Sequence, residues 1–167
     1  PENDVPDYYA DSRLHREAAR DVARRSLVLL ENRNQTLPLK KAGTVALVGP
    51  LADAPIDMMG SWAADGKPVH SVTVREGLRR ALEGKAKVVY AKGSNITGDQ
   101  AIFDYLNFLN FDAPEIINDS RPAAVLIDEA VKAARQSDVV VAVVGESRGM
   151  SHESSSRTSL EIPAVQR

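Results

Sequence analysis

The sequence predicts an α/β protein built around a mainly parallel β-sheet, and three features lead to that class. Short runs rich in β-branched residues stand at 44–48, 87–91 and 138–144. Segments with apolar residues at helical spacing separate these runs, which is the order expected of βαβ units. The last run, DVVVAVV, is apolar without alternation, and such a strand is expected to be covered on both faces by helices.

The first part of the chain predicts an extended lead-in followed by an amphipathic helix. Residues 1–11 contain two prolines and several acidic side chains, so we expect no regular structure there. Ser12 is a suitable N-cap for a helix over residues 12–32. Apolar side chains recur on one face of that helix at Leu14, Ala18, Val22, Ala23, Leu27 and Leu30. Residues 32–38 break the period, and TVALV at 44–48 is the first strand.

The middle of the chain predicts one βαβ unit. A long loop at 51–69 follows the first strand, and a helix is expected from about Ser71, with Gly84 at its C-cap. KVVYA at 87–91 is the next strand, and the crossover should be right-handed. Within residues 93–121 the pattern IFDYLNFLNF fits either a short helix or a packed irregular segment.

The last part predicts a helix, a strand and a polar loop. The helix covers residues 122–136, with Pro122 in its first turn and one face made by Ala124, Ile127, Ala130, Val131 and Ala134. The strand at 138–144 follows. Pro163 suits the start of another helix, but only four residues follow it. A sheet of three strands that stops there is expected to be one piece of a larger fold, either excised or cut after Arg167 by a protease.

Composition excludes several classes of function. The chain has 21 basic and 23 acidic side chains and a net charge of -2, which suits neither a nucleic-acid backbone nor an anionic membrane. The absence of cysteine excludes disulfides and thiolate metal sites. No apolar run approaches the roughly 20 residues that span a bilayer. The N-terminal residues also lack the pattern of a signal peptide.

Residues 145–167, called the second loop below, leave the carboxyl end of the last strand, where parallel sheets bind ligands. A carboxyl group there can act as a general acid when burial raises its pKa, or bind sugar hydroxyls when ionised. A serine nucleophile has little support, because the loop has no nucleophile elbow. A metal site at His152 and Glu153 has little support either, because no second histidine or pair of acids stands at a ligand spacing. The alternative is a solvated loop with its acids paired to arginines. Its titratable side chains are Glu146, Arg148, His152, Glu153, Arg157 and Glu161.

Residues 51–69, called the first loop below, follow the carboxyl end of the first strand. They contain Met58, Met59 and Trp62, the only tryptophan of the chain. A tryptophan in such a loop can stack on the apolar face of a sugar ring. The alternative is that Trp62 fills the core beneath the loop. The residues themselves leave both interpretations open.

Three stretches together resemble the second domain of family 3 glycoside hydrolases, most closely that of the bacterial periplasmic β-glucosidases. They are SLVLLENRNQTLPLKKAGTVALVGPLAD, MMGSW and VVVAVVGESRGMSHESSSRTSLEIPAVQ. A helix ending in L-L-x-N ahead of L-P-L and a strand ending in V-G-P is typical of the start of that domain. The pattern R-x-x-L-x-I-P-x-x-Q, from Arg157 to Gln166, is typical of its acid/base loop. The resemblance covers nearly the whole chain.

The resemblance implies an enzyme with a (β/α)8-type barrel followed by a three-layer, six-stranded α/β sandwich, and an active site between the two. Residues 1–11 would then be a linker from the barrel, and residues 12–167 the N-terminal portion of the sandwich. Such enzymes retain anomeric configuration, which requires two carboxyl groups about 5 to 5.5 Å apart. The nucleophile of the family is an aspartate of the barrel, so this domain would supply only the acid/base.

The same resemblance assigns site residues. The family's acid/base glutamate stands four positions before the arginine of the motif, which here is Glu153; Glu146 is the alternative. Three serines, at 154–156, stand where many members have an acidic or glycine-rich stretch. His152 and Arg157 are candidate substrate-binding residues. His152 would tune the acid/base or bond to substrate, or else pack within the loop.

In the first loop, Trp62 corresponds to an aromatic residue that flanks the leaving-group subsite in some members, and Met58 would line the same wall. The implied function is exo-acting hydrolysis of terminal non-reducing β-D-glucosyl residues without a cofactor, in the periplasm or outside the cell. The implied partners are a β-glucoside or β-linked gluco-oligosaccharide and the remaining barrel and sandwich segments, in one chain or several. The alternative function is a non-catalytic α/β module that binds carbohydrate or another protein.

Overall fold

The computed structural model describes residues 12–63, 66–108 and 116–167. The predicted lead-in at 1–11 lies outside the described residues. The chain divides into two compact units, the first ending at Lys40 and the second running from Lys41 to Arg167. Within the described ranges, no helix combines the length and apolar character that a membrane crossing requires.

In the described part of the first unit, the α-helix α1 covers Ser12–Ser26. Ion pairs one turn apart, Arg13 with Glu17 and Arg25 with Asp21, lie on its surface. The helix ends six residues before the predicted residue 32. Its last side chain, Ser26, donates from Oγ to the carbonyl oxygen of Ala23 at 2.9 Å. Residues 27–30, LVLL, are 64% to 92% exposed, so these four side chains gain too little burial from the described residues to offset the cost of continuing the helix.

The segment that follows α1 is closed by one asparagine. Asn32 accepts from the backbone nitrogen of Leu37 at 2.9 Å and donates to its carbonyl oxygen at 3.0 Å. A single 3-10 turn, Arg33–Gln35, fills the space between them, and the peptide bond from Leu37 to Pro38 is cis. Residues 32–38 are outside the α-helix, as predicted, but the helix has already ended at Ser26.

The second unit is a three-stranded parallel sheet with helices. Strands β1 (Thr44–Val48), β2 (Lys87–Ala91) and β3 (Val139–Ala142) lie in the order β2-β1-β3. All pairs are parallel, and Ala46 of β1 lies opposite Val89 and Val140. The predicted fold class is therefore confirmed. The first two strands have the predicted bounds, whereas β3 is shorter than residues 138–144.

Three helices accompany the sheet: α2 (Val74–Leu82), α3 (Gln100–Phe108) and α4 (Ala123–Arg135). The hydroxyl of Thr73 caps α2 by accepting from the backbone nitrogen of Glu76 at 3.2 Å, so this helix begins later than predicted. Gly84, with φ +67°, ends it as expected. The helix α3 shows that residues 102–108 of the aromatic segment form a short helix, while residues 109–111 of that segment lie outside the described residues.

The prediction that β3 is covered on both faces was wrong for the described residues. Its side chains alternate, with Val139 and Val141 half-buried and Val140 46% exposed. The half-buried residues lie beside Val45 and Leu47 of β1, which are almost fully buried. A run of β-branched residues favours a strand, but only the neighbouring elements determine which of its faces is covered.

Two groups of buried side chains form the core of this unit. In the first group, the sheet packs against α4 through small side chains, which permit close contact. These are Ala46, Ala91 and Ala133. The most buried residues of α4 are Leu126 and Ala133, whereas the predicted apolar face includes Ile127, which is 52% exposed. The second group contains Ile96, Leu106, Ile116 and Met150. Met150 belongs to the second loop, so that loop has one side chain in the core.

Candidate functional site

The order of the strands defines where a ligand would bind. The connection from β1 leads to β2 on one side, while β3 lies on the other side of β1. In open parallel sheets the loops diverge at such a point and leave a crevice at the carboxyl ends of the strands. The first loop follows β1 and the second loop follows β3, so both candidate segments start at this crevice.

The first loop contacts the backbone of the chain between β3 and the second loop. Leu51 donates from its backbone nitrogen to the carbonyl oxygen of Val143 at 3.3 Å. Gly49 has a φ of +112°, and a Cβ atom built on it would stand 2.2 Å from the same carbonyl oxygen. Only glycine fits this conformation and this approach. Gly49, the glycine of the V-G-P motif, therefore allows the chain after β1 to lie against Val143 at the base of the crevice.

The first loop holds the second loop through the backbone of one residue. Asp57 accepts from the backbone nitrogen of Arg148 at 2.7 Å, and Ser61 donates from Oγ to the carbonyl oxygen of Arg148 at 2.6 Å. A weaker contact joins Ser61 to the carbonyl oxygen of Ser151 at 3.4 Å. Both polar groups of this peptide segment are thus satisfied by the first loop. No local sequence pattern predicts these contacts, because the partners are 87 and 91 positions apart.

Trp62 and Met58 extend from the first loop into solvent. The indole-bearing residue Trp62 is 76% exposed, and Met58 is 49% exposed. The interpretation of Trp62 as a core residue beneath the loop is therefore wrong. Trp62 directly follows Ser61, so the exposed ring stands next to the point where the two loops are joined. A large apolar surface in that position is available to a ligand.

Glu153 lies on an exposed turn of the second loop. Ser155 donates from its backbone nitrogen to the carbonyl oxygen of His152 at 3.0 Å, and Ser154 has a φ of +65°. The Nδ1 atom of His152 lies 2.5 Å from the carbonyl oxygen of Glu153, so this nitrogen donates. In the part of the chain that the structure describes, the Glu153 carboxylate has no hydrogen-bond or ion-pair partner. It is free to meet a ligand.

Glu146 and Arg157 form an ion pair across the second loop. The Glu146 side chain is only 23% exposed, and the pair joins the start of the loop to a residue beyond the turn. For Glu146, this is the pairing of a loop acid with an arginine that the sequence left open, and it braces the loop. The two candidate acids therefore differ: one is bound to an arginine within the loop, and the other is exposed and unpaired. Arg157, a candidate for substrate binding, has Glu146 as its partner here.

One buried side chain of the second loop has an unsatisfied polar atom. Ser147 is fully buried, and its hydroxyl lacks a hydrogen-bond partner among the described residues. Within residues 12–63, 66–108 and 116–167, no group of three or more acidic or histidine side chains could hold a metal ion. The functional groups that the two loops carry include carboxyl, hydroxyl, imidazole and guanidinium groups.

The fold and the loops define an α/β domain that presents an unpaired carboxylate and an exposed indole at one edge of its sheet. Residues 27–167 match the model of the glycosyl hydrolase family 3 C-terminal domain, and the chain belongs to that family. The family resemblance of the sequence is thereby confirmed.

Curated relatives cover nearly the whole chain. A periplasmic beta-glucosidase of Salmonella typhimurium is 58% identical over 166 residues, which are 99% of this chain and 21% of that protein. Thermostable beta-glucosidase B of Acetivibrio thermocellus is 32% identical over 165 residues, 99% of this chain and 19% of that protein. The chain thus spans about a fifth of the length of these relatives.

Solved structures agree with this assignment. A family 3 beta-glucosidase of Bifidobacterium adolescentis superposes with a TM-score of 0.69 at 28% identity, covering 98% of this chain and 20% of that one. A beta-glucosidase of Listeria innocua in complex with isofagomine gives a TM-score of 0.66 at 27% identity, covering 92% of this chain and 18% of that one.

Proposed function

We propose that this chain is one domain of a longer retaining β-glucosidase and that Glu153 is its general acid/base. The observation that carries the proposal is the different state of the two acids in the second loop. The carboxylate of Glu146 forms an ion pair with Arg157, whereas the carboxylate of Glu153 is exposed and unpaired. An acid that exchanges protons with a substrate must be accessible to it.

In this mechanism Glu153 acts twice. As a neutral acid it donates its proton to the glycosidic oxygen while a carboxylate outside this chain, the barrel aspartate implied by the family, attacks the anomeric carbon. The C–O bond to the leaving group breaks, and a covalent glycosyl-enzyme forms. Glu153, now ionised, then takes a proton from water as that water displaces the enzyme carboxylate. Neither step requires a cofactor.

The neighbouring residues have supporting roles in the proposal. Trp62 stacks on the apolar face of the leaving sugar, and Met58 extends that surface. His152 is held by the backbone of Glu153 through Nδ1, which leaves its Nε2 for a substrate hydroxyl. Arg157 acts through Glu146 to keep the loop in shape. Sugar recognition of this kind combines a flat apolar contact with a few directed polar groups.

The proposed substrates are β-glucosides or β-linked gluco-oligosaccharides with a free non-reducing end, and the proposed location is the periplasm or the extracellular space. Both follow from the names of the relatives and not from a ligand. The remaining segments of the enzyme, including the barrel, are the proposed protein partners. A non-catalytic binding module is the competing function, and it requires no role for Glu153 in bond cleavage.

The decisive experiment replaces Glu153 with alanine in the full-length natural protein. Loss of a general acid is expected to lower kcat/KM for cellobiose by about 10²- to 10⁴-fold. Hydrolysis of dinitrophenyl β-glucoside should fall much less in its first step, because that leaving group needs no proton. Azide should restore turnover by replacing the water that Glu153 activates, giving glucosyl azide as product.

Glu161→Gln is the matched control, because Glu161 is an exposed acid of the same loop that pairs with Arg167. It should leave both substrates within about twofold of wild type, the usual scale for a surface ion pair. Near-normal hydrolysis of cellobiose by the Glu153→Ala variant would refute the assignment. Absence of glucoside hydrolysis in the unaltered protein would favour the binding module.

A further inference from the structure

The side-chain amide of Gln166 joins the end of the second loop to its beginning. Its Oε1 atom accepts from the backbone nitrogen of Gly145 at 2.8 Å, and its Nε2 atom donates to the carbonyl oxygen of Gly145 at 2.7 Å. The same Nε2 donates to the carbonyl oxygen of Ile96 at 2.7 Å. Both amide hydrogens and the amide oxygen are therefore used, which is full satisfaction of the donors of this side chain.

The residue that Gln166 binds stands at a conformationally special point. Gly145 follows β3 with a φ of +141°, a region that side chains disfavour. It is 21 positions away from Gln166, and Glu153 lies between them. The amide thus closes the second loop at the point where the loop leaves the sheet.

The hydrogen bond from Gln166 to Ile96 connects the end of the second loop to a segment that is buried and hydrogen-bonded. Ile96 is 8% exposed and packs with Met150 in the core. Its neighbour Asn95 accepts from the backbone nitrogen of Asp119 at 2.8 Å and donates to the carbonyl oxygen of Asp119 at 3.0 Å. Lys92 donates to Asn95 at 3.0 Å. Gln166 therefore ties the second loop to a segment that is itself fixed by several bonds.

The turn that carries Glu153 makes few contacts of its own. The position of this turn is therefore determined by the contacts that hold the rest of the loop. These are the hydrogen bonds to the backbone of Arg148, the ion pair of Glu146 with Arg157, and the hydrogen bonds of Gln166 to Gly145. A displacement of a catalytic group by about 1 Å is enough to lower a rate by about 10²-fold. Loss of one holding point can therefore impair proton transfer while the sheet remains intact.

From these contacts we infer that Gln166 is a positioning residue that holds Glu153 for proton transfer to the leaving group, a role that rests on the proposed function of Glu153. Gln166 acts through the loop and touches no reacting atom. The inference also gives a physical role to the last member of the motif R-x-x-L-x-I-P-x-x-Q, which the sequence left without one.

The test uses Gln166→Leu and Gln166→Glu in the full-length natural protein. Gln166→Leu removes all three hydrogen bonds of the side-chain amide. Gln166→Glu keeps the shape of the side chain but places a carboxylate against the carbonyl oxygens of Gly145 and Ile96. Each variant is expected to lower kcat/KM for cellobiose by about 10- to 100-fold and that for dinitrophenyl β-glucoside by less than about threefold. The KM for cellobiose should change less than kcat, since Trp62 and Met58, which are proposed to contact the leaving sugar, lie in the first loop. If the leucine variant does not fold, the glutamate variant decides.

A double-variant comparison separates positioning from a general effect on structure. In the Glu153→Ala background, Gln166→Leu should change kcat/KM for cellobiose by less than about twofold. The effects of substitutions at residues that act as one unit are not additive. Arg167→Leu is the control at the adjacent position, and it should leave the ratio of the two substrates unchanged.

Equal losses for both substrates, or a full further loss in the Glu153→Ala background, would overturn the positioning role. These outcomes differ from failure of the proposed function itself. If Glu153→Ala leaves cellobiose hydrolysis intact, both proposals fall. If Glu153→Ala behaves as expected and Gln166→Leu shows no dependence on the leaving group, only the inference on Gln166 falls.

Discussion

Replacement of Gly49 by alanine tests whether the close approach of β1 and β3 sets the base of the crevice. The new Cβ would stand 2.2 Å from the carbonyl oxygen of Val143 and 2.8 Å from its carbonyl carbon. Real Cβ atoms are essentially never found within 3.0 Å of a neighbour, so the backbone at the end of β3 must move. Gly49→Ala therefore combines a contact that cannot be relieved by a side chain with a strained φ of +112°.

The magnitude follows from comparison with a glycine that has strain but no contact. Gly84 has a φ of +67° and no atom within 4 Å of a built Cβ, so Gly84→Ala should cost about 1 to 2 kcal/mol. Gly49 lies further outside the allowed region, and its strain alone is worth up to about 3 kcal/mol. Displacement of β3 adds to this. We expect Gly49→Ala to cost at least about 3 kcal/mol.

The assay is thermal unfolding of the full-length natural protein, in which the transition of this domain is read separately from that of the other segments, together with cellobiose hydrolysis. For a domain of this size, 1 kcal/mol corresponds to about 2 to 4 °C in Tm. The Gly49 variant should therefore unfold at least about 6 °C below wild type, with the Gly84 variant closer to wild type. Equal Tm values for the two variants would refute the reasoning, because the contact would then have no energetic effect.

Two further predictions concern the elements that support the sheet. Thr73→Ala removes the N-cap of α2 and should cost about 1 kcal/mol in urea unfolding, whereas Thr73→Ser should recover most of it; an unchanged midpoint for the alanine variant would exclude the capping role. The Arg121 guanidinium lowers the pKa of Asp119 from 3.8 to about 2. The stabilisation from this group is therefore complete above about pH 4 and is lost as pH falls toward 2. Arg121→Gln should flatten the decline of Tm across that window, and an identical decline in both proteins would contradict the pair's contribution.

The strands were predictable because each is a short, strongly β-branched run. The bounds of β1 and β2 agree with the sequence to the residue, and the glycines at 49 and 84 mark real ends of elements. The end of α1 was not predictable in the same way. Leu27 continues the apolar period, but a helix persists only where its apolar face is packed, and periodicity does not reveal the packing partner.

The candidate site was predictable to a similar extent. The position of the second loop follows from the rule that parallel sheets bind ligands at their carboxyl edge, and the resemblance singled out Glu153 and Glu146. The two acids differ because Glu146 is paired with Arg157. From the sequence, Arg157 was a candidate both for substrate binding and for pairing with an acid of the loop. The contacts of Asp57 and Ser61 with Arg148 join positions far apart along the chain, and no local pattern encodes them.

The alternating exposure of β3 has a practical consequence for anyone who prepares this chain without other protein around it. Val140 presents an apolar side chain to solvent, and in the described sheet β3 pairs with β1 along only one of its edges. An unpaired strand edge beside apolar side chains is a template for further strands, from a second copy or from an unfolded neighbour. Dilute samples and a charged substitution such as Val140→Lys are the appropriate precautions against such self-association.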